Sequence, residues 1–353
     1  MTIYREKVFF QMQNRKNNDL APDELSDMSC CGNDLICGAK MKTYWFFNLV
    51  ASVLHLANAV LMFSTYYAND KKDVCYSLRM GYAAWDGING TERADDDFNI
   101  RTEFVDTSRL SLHWLIFGFH SLSFVFQFVP VLLDSETDDS FFRCLPCKRL
   151  QRSSMFHYPY QNFVRNGRNP IRFFEYAISA SIMLVCIALL SGVRDENILI
   201  MLAMLCGACQ MFGFVAESVP SGVVRIVAHF TGWVTLMTSY GVIWAYYGIA
   251  NYKAHQRWVD GGRVGRELGA PDYVHAIVIT MFLLFNSFGV VQLSQMYCKG
   301  RFLCFKENSV SKWFYKWVGK EAELSYVTLS LVAKTVLGWV IYFQVIVMAR
   351  ECV

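Results

Sequence analysis

The chain has 353 residues, of which 54% are hydrophobic and 18% are charged, and its formal net charge is +3. This composition excludes an ordinary soluble domain, and the basic residues are spread among loops, so nucleic-acid binding is not indicated. Residues 1–43 are polar with mixed charge, and no cleaved signal peptide is predicted there.

Seven apolar stretches, each long enough to cross a bilayer as a helix, follow along the chain. They are residues 44–66, 110–133, 171–193, 198–215, 223–248, 273–297 and 326–349. Only "RDEN" separates the third from the fourth, which predicts a tight hairpin between these two helices. The predicted fold is an all-α bundle of seven transmembrane helices. The protein is expected to lie in the lipid bilayer as an integral, multi-pass protein of the cell membrane.

The remaining segments complete the predicted organisation. Residues 1–43 form an N-terminal segment, 44–349 the seven-helix domain and 350–353 a C-terminal tail. The loop at 67–109 contains "FNIRTEFVDT", whose alternating polarity predicts a small β-element between helices 1 and 2. The "CLPC" at 144–147 fits a metal knuckle, a redox pair or palmitoylation sites. Unmodified thiols in a reducing cytosol are the favoured interpretation, and no metal site is predicted.

The orientation in the membrane follows from the basic residues of the loops. With the N-terminus inside, 20 Lys and Arg residues lie on the inner side and 12 on the outer side. Because inner loops carry an excess of Lys and Arg, this count predicts an N-terminus inside and a C-terminus outside. A glycosylation sequon at Asn89 falls on the predicted outer side and agrees with this orientation.

A single charged residue, Lys334, lies in the last predicted span. A bare lysine at this depth costs between ~2.5 and ~10 kcal/mol, and it is too far from either helix end to reach water by snorkelling. The lysine could pair with a buried carboxylate, line an aqueous pathway, or be modified by an aldehyde ligand. If it pairs with a carboxylate, the pair could be functional or could be a purely structural ion pair between helices.

Glu175 is the one acid that lies clearly inside a predicted span. Helices 3 and 7 run in the same direction, and Lys334 lies roughly 12 Å along its span. Glu175 lies about 5–8 Å along helix 3, so the two side chains are predicted to meet. Ser330 lies one turn before Lys334 on the same helix face and can hydrogen-bond to either partner.

Five segments of the chain resemble the heliorhodopsin family. They are "LSLVAKTVLGW" at 329–339, "NPIRFFEYAISASIM" at 169–183, "FLLFNSFGVVQ" at 282–292, "LHLANAV" at 54–60 and "FGFVAE" at 212–217. The resemblance covers about residues 44–349 and all seven helices in order. The family also has its N-terminus inside and a long outer loop after helix 1, which matches the loop at 67–109.

The resemblance implies a retinal chromophore, all-trans in the dark, bound to Lys334 as a protonated Schiff base. Glu175 would be the counterion and Ser330 a hydrogen-bond partner near the Schiff base. Three side chains would line or flank the chromophore: Met183, Phe285 and Trp339. Arg172, one turn before Glu175, also fits the family pattern. Packing between helices explains the first three equally well, and a positive-inside anchor explains Arg172.

His55 matches a family histidine of an inner-side polar cavity that holds the released proton. Its expected companion on helix 2 aligns with Gln127, and neither His113 nor His120 is predicted to replace it. A buried asparagine of the family aligns with Cys206. The helix cores offer no further carboxylate for a proton path.

The predicted function is a light sensor with a slow photocycle and no net pumping, rather than an enzyme. A light-gated proton channel is the alternative. A homodimer and an unidentified inner-side signalling partner are expected.

Overall fold

The computed structural model describes residues 34–68, 75–85, 100–133, 169–219, 222–261, 270–299 and 322–346. The chain divides into two units, residues 1–46 and 47–353. In the first unit only residues 34–46 are described, and they are helical. The segment 350–353, the "CLPC" motif and the Asn89 sequon lie outside the described residues.

The elements follow each other as one helix, a two-stranded sheet and six further helices. They are α1 (Asp34–Ala68), β1 (Cys75–Trp85), β2 (Ile100–Ser111), α2 (Leu112–Leu133), α3 (Pro170–Leu190), α4 (Glu196–Ser218), α5 (Val223–Asp260), α6 (Asp272–Lys299) and α7 (Ala322–Ile341). A short π-helical turn, Tyr342–Ile346, continues α7. Seven helices of the described chain are long and apolar enough to cross a membrane. The predicted all-α membrane fold with a small β-element between helices 1 and 2 is confirmed.

The sheet is an antiparallel hairpin that connects α1 to α2. It is attached to the turn between α3 and α4, because the Arg79 N–H donates to the Arg194 carbonyl at 2.9 Å. The Thr107 hydroxyl also donates to the Glu196 carboxylate. We call this side of the bundle the hairpin end. The side where α3 and α7 begin is the opposite end.

Local signals set the boundaries of α3 and α4. Asn169 caps α3 by accepting a hydrogen bond from the Arg172 N–H at 3.2 Å, and Pro170 occupies the first turn. Asp195 caps α4 by accepting from the Ile198 N–H at 3.1 Å. Gly192 ends α3 with a φ of +95°, a left-handed conformation that favours glycine. The tight hairpin predicted from "RDEN" is therefore closed by a glycine and a cap.

Helix α3 is the most buried of the seven spans. Its apolar side chains join those of α2, α4, α5, α6 and α7 in one large core towards the hairpin end. Large apolar side chains on the outer faces, such as Met204, Val234 and Leu283, are exposed. Such a surface suits a hydrocarbon environment. The burial of α3 places its polar residues in the centre of the bundle.

Candidate functional site

The Lys334 ammonium lies in the middle of the bundle and is almost completely buried. Its Nζ donates to Oε1 of Glu175 at 2.6 Å and to Oγ of Ser330 at 3.0 Å. It also donates to Oγ of Ser123 on α2. An ammonium has three donors, and all three have acceptors here. The predicted contacts of Lys334 with Glu175 and Ser330 are present, whereas Ser123 was not predicted.

The pair formed by Lys334 and Glu175 removes the cost of each isolated charge. Their side chains are 3% and 5% exposed, so neither charge is solvated by bulk water. Removing one partner of such a pair leaves a buried, uncompensated charge and costs roughly 3–5 kcal/mol. The Tyr176 ring, whose centroid lies 5.3 Å from Nζ, adds a cation–π contact. The geometry therefore holds one positive charge at a fixed place.

A cavity begins at Lys334 and extends between α3, α4, α5, α6 and α7. It contains about 780 Å³ of space not filled by atoms, part of it open to the surroundings. Lys334 and Ser330 belong to its wall, together with Tyr176, Met183, Trp233 and Phe285. The cavity combines aromatic and apolar walls with one amine.

Glycine shapes one wall of this cavity. A Cβ at Gly289 of α6 would lie only 2.8 Å from Cε2 of Trp233, so a side chain there would displace the indole. Met183 and Phe285 lie on the wall of this cavity. Trp339 does not appear among the lining residues, and its Nε1 donates to Oδ1 of Asn58 at 3.1 Å. Cys206 is fully buried in α4.

Arg172 lies in a second buried cluster at the opposite end. Its guanidinium donates to both carboxylate oxygens of Glu217, at 2.6 and 2.8 Å, and forms an ion pair with Glu323. The Tyr326 ring lies 3.8 Å from its Cζ, and the amide of Gln292 is 3.5 Å from Glu217. Arg172 is thus the centre of an ion triad, not only an anchor at the membrane surface.

The prediction that the helix cores hold no carboxylate besides Glu175 is wrong. Glu217 lies within α4 and is 5% exposed. The predicted span ended at residue 215, because a glutamate lowers hydropathy. Pairing with Arg172 on α3 allows the helix to continue to Ser218 with this carboxylate buried. No single-helix pattern reveals such a partner.

Replacing Arg172 by glutamine should destabilise the protein by roughly 3–5 kcal/mol, because two carboxylates then lose their shared cation. Thermal unfolding in detergent measures the loss. Arg79→Gln is the matched control, since the Arg79–Asp106 pair is 60% and 67% exposed and such pairs contribute about 0–1 kcal/mol. Adding Glu217→Gln to Arg172→Gln should restore part of the stability. Equal unfolding temperatures for Arg172→Gln and Arg79→Gln would contradict the triad.

The two central histidines lie beside the Lys334 site, on its hairpin side. With the predicted orientation this is the outer side, so His55 does not lie on the inner side where it was expected. Nδ1 of His55 is 3.0 Å from Nδ1 of His120, and both residues are fully buried. His120 was not predicted to take part. Gln127, the residue at the expected companion position, is buried, and its Oε1 has no hydrogen-bond partner among the described residues. The partner of His55 in this chain is therefore a histidine at another position of α2.

The sequence model of the heliorhodopsin family matches residues 141–346, more than half of the chain. A search among curated proteins found no match. The family match includes α3, α4, α5 and α6 and, in α7, the buried lysine. The chain belongs to the heliorhodopsin family, the retinal-binding, light-sensing rhodopsins of the membrane.

Proposed function

We propose that Lys334 binds retinal covalently as a protonated Schiff base, with Glu175 as the counterion. The observation that carries this proposal is the 2.6 Å ion pair at the wall of a mainly apolar cavity. The residues present fit the group: an amine for an aldehyde, and aromatic and aliphatic side chains for a long hydrocarbon. Gly289, whose lack of a side chain leaves room for the Trp233 indole, lies on the same wall.

The protein supplies position and electrostatics to this site. Retinal, all-trans in the dark, supplies light absorption and isomerisation. Glu175 keeps a positive charge on the Lys334 nitrogen, because a cation in a low-dielectric site stays charged only beside an anion. The hydroxyl groups of Ser123 and Ser330 accept hydrogen bonds from the same nitrogen. These contacts support a proton on the Lys334 nitrogen before illumination.

The function that this arrangement supports best is a light sensor with a slow photocycle and no net proton pumping. A pump needs polar groups along a whole path between the two membrane surfaces. At the opposite end, the Arg172 triad holds mutually paired charges between α3, α4 and α7. At the hairpin end, the large apolar core lies between the histidines and the hairpin. Both features favour retention of a proton inside the protein.

A light-gated proton channel is the second candidate. Buried ionisable groups lie on both sides of Lys334: the histidines on one side, and Glu217 and Glu323 on the other. A hydrated crevice joining them would complete a path. The orientation with the N-terminus inside, the homodimer and the inner-side signalling partner stay predictions from the sequence.

Voltage-clamp recording under illumination, in cells supplied with all-trans retinal, separates these functions. A sensor should give little or no steady photocurrent, because it moves no net charge across the membrane. Lys334→Ala is the control for light effects unrelated to the protein. Sustained currents that follow the proton gradient and vanish in Lys334→Ala would show that the protein is a proton channel and not a sensor. Outward currents against the gradient would indicate a pump.

A further inference from the structure

The hydrogen bond of His229 on α5 fixes which of its ring nitrogens carries the proton. Nδ1 of His229 lies 2.8 Å from Oε1 of Gln292 on α6. The amide nitrogen of Gln292 donates to the Gly213 carbonyl at 2.8 Å, and a carbonyl can only accept. The amide oxygen of Gln292 therefore faces the histidine, and Nδ1 of His229 is the donor. In the neutral ring, Nε2 is then an acceptor.

Two buried ring nitrogens of α5 have no hydrogen-bond partner among the described residues: Nε2 of His229 and Nε1 of Trp233. Trp233 follows His229 by one turn, and the centroids of the two rings are 5.7 Å apart. The indole nitrogen is a donor only, and α6 meets it at Gly289, which offers no side chain to pair with it. Both aromatic residues belong to the wall of the large cavity. This wall therefore presents one unpaired donor and one unpaired acceptor on neighbouring rings.

The two nitrogens lie across the cavity from Lys334. The lysine is on α7, whereas His229 and Trp233 are on α5, and α6 packs against both of these helices. Phe285 of α6 belongs to the same wall. A long aldehyde that is held at Lys334 therefore extends along α6 towards α5. Its far end, which is the ring in a retinal, comes to lie beside His229 and Trp233.

The chemistry of the two nitrogens indicates which group belongs between them. The ring of an unsubstituted retinal is hydrocarbon and pairs with neither, although a buried polar atom without a partner costs free energy. Among the described residues of the wall, Arg172 and Lys334 carry fixed charges, and each is already paired with a carboxylate. A charged ligand group would therefore lack a counterion. A hydroxyl group is neutral and both accepts and donates, so it fits.

We propose that the cavity selects a retinal whose ring carries a hydroxyl group, and that His229 and Trp233 bind this group. The inference rests on the proposed function of Lys334 and narrows the class of aldehyde that it takes. The ring hydroxyl accepts a hydrogen bond from Nε1 of Trp233 and donates one to Nε2 of His229. All-trans retinal without the hydroxyl still reaches Lys334 but leaves both nitrogens unpaired. A trapped water molecule offers the same hydrogen bonds, and a competition between aldehydes separates the two sources.

The competition uses the full-length protein, purified without retinal. It receives an excess of an equal mixture of all-trans retinal and all-trans 3-hydroxyretinal, and a second sample receives all-trans 4-hydroxyretinal in place of the latter. After washing, hydroxylamine releases the bound aldehydes, and chromatography gives their ratio. For the hydroxyl position that fits, we expect roughly a tenfold excess of the hydroxylated aldehyde, because an unpaired buried polar atom costs about that factor. No excess in either sample would show that water pairs with the nitrogens and would overturn the inference.

Substitutions of the two residues separate recognition from packing. His229→Asn keeps an amide near the position of Nδ1 but has no atom at the position of Nε2, so the preference should disappear. His229→Gln is long enough to bring an amide oxygen near that position, so it should keep part of the preference.

Trp233→Phe tests the donor. It removes the indole N–H and should weaken the preference for the hydroxylated aldehyde. Trp244→Phe is the matched control, because Trp244 lies on the same helix but does not appear among the described residues of the cavity wall. The control should keep the preference of the wild-type protein. A preference that is unchanged in both Trp233→Phe and His229→Asn would contradict the assignment of these residues.

The total amount of bound aldehyde keeps the inference separate from the function of Lys334. A wild-type protein that binds no aldehyde of any kind would refute both. A wild-type protein that binds the aldehydes equally refutes only the ring hydroxyl. Since this competition needs no substitution, a variant that fails to fold leaves its result decisive. Nitrogen-15 NMR gives a second measurement: the Nε2 signal that His229→Asn removes should differ between protein loaded with retinal and protein loaded with the preferred hydroxyretinal, and identical signals would contradict the hydrogen bond.

Discussion

Replacing Lys334 by alanine should give a colourless protein when the chain is expressed with all-trans retinal. Lys334 is the only amine on the wall of the large cavity, within the residues described, so no other side chain there can hold an aldehyde covalently. The wild-type protein should be coloured under the same conditions. Absorption spectra of the purified proteins measure the difference, and mass spectrometry after reduction of the linkage identifies the modified residue.

The controls for this experiment address folding. Lys253→Ala changes a lysine on the exposed final turns of α5 and should keep the colour. Lys334→Ala alone leaves the Glu175 carboxylate buried without its cation, which is costly. The double variant Lys334→Ala with Glu175→Gln removes both charges, so it should fold better and still be colourless. A Lys334→Ala protein that binds retinal covalently would refute the assignment.

Glu175→Gln should change the colour of the protein strongly. The carboxylate lies 2.6 Å from the Lys334 nitrogen, and glutamine removes its charge at nearly constant volume. Without the anion, the absorption should shift far to the red, or the Schiff base should lose its proton and absorb in the near ultraviolet. The entry of chloride or water into the gap decides between these results. A pH titration of the visible spectrum measures which occurs.

Two substitutions calibrate this result. Glu175→Asp keeps the negative charge but shortens the side chain by one methylene group, which moves the carboxylate away from the Lys334 nitrogen. Its spectral shift should therefore be smaller than that of Glu175→Gln. Glu196→Gln, at the first turn of α4 beside the hairpin, should leave the spectrum unchanged. If the visible spectrum of Glu175→Gln stays constant across neutral pH, another group balances the charge on Lys334.

The sequence predicts the central ion pair because both charges stand out against apolar spans. A charge inside a long apolar helix needs a partner, and only one acid lay within the predicted limits of a span. Helices 3 and 7 run in the same direction through the membrane. Counting residues from the start of each helix therefore placed Glu175 and Lys334 at similar depths. This argument needs only the length of a helix and its rise per residue, both of which can be read from one chain.

Ser123 and His120 could not be found in this way. Both are ordinary polar residues of α2, and their partners lie on other helices: Lys334 on α7 and His55 on α1. Which face of α2 meets those helices depends on the rotation of each helix in the bundle. Side-chain packing between helices sets that rotation. The approach of His120 to α7 depends further on Gly338, whose role appears only when the two backbones are close.

Helix α5 is longer than the membrane requires. It has 38 residues and is therefore about 57 Å long, against a hydrocarbon thickness of ~30 Å. Trp233 lies against the cavity, and Asp260 ends the helix 27 residues further on, or roughly 40 Å away at the helical rise per residue. A tilt of a rigid helix of that length moves its far end much more than the part beside the cavity. A tilt of about 5° at Trp233 would move its far end by about 3.5 Å, so a small change in the shape of the cavity is magnified into a displacement in the water outside the bilayer.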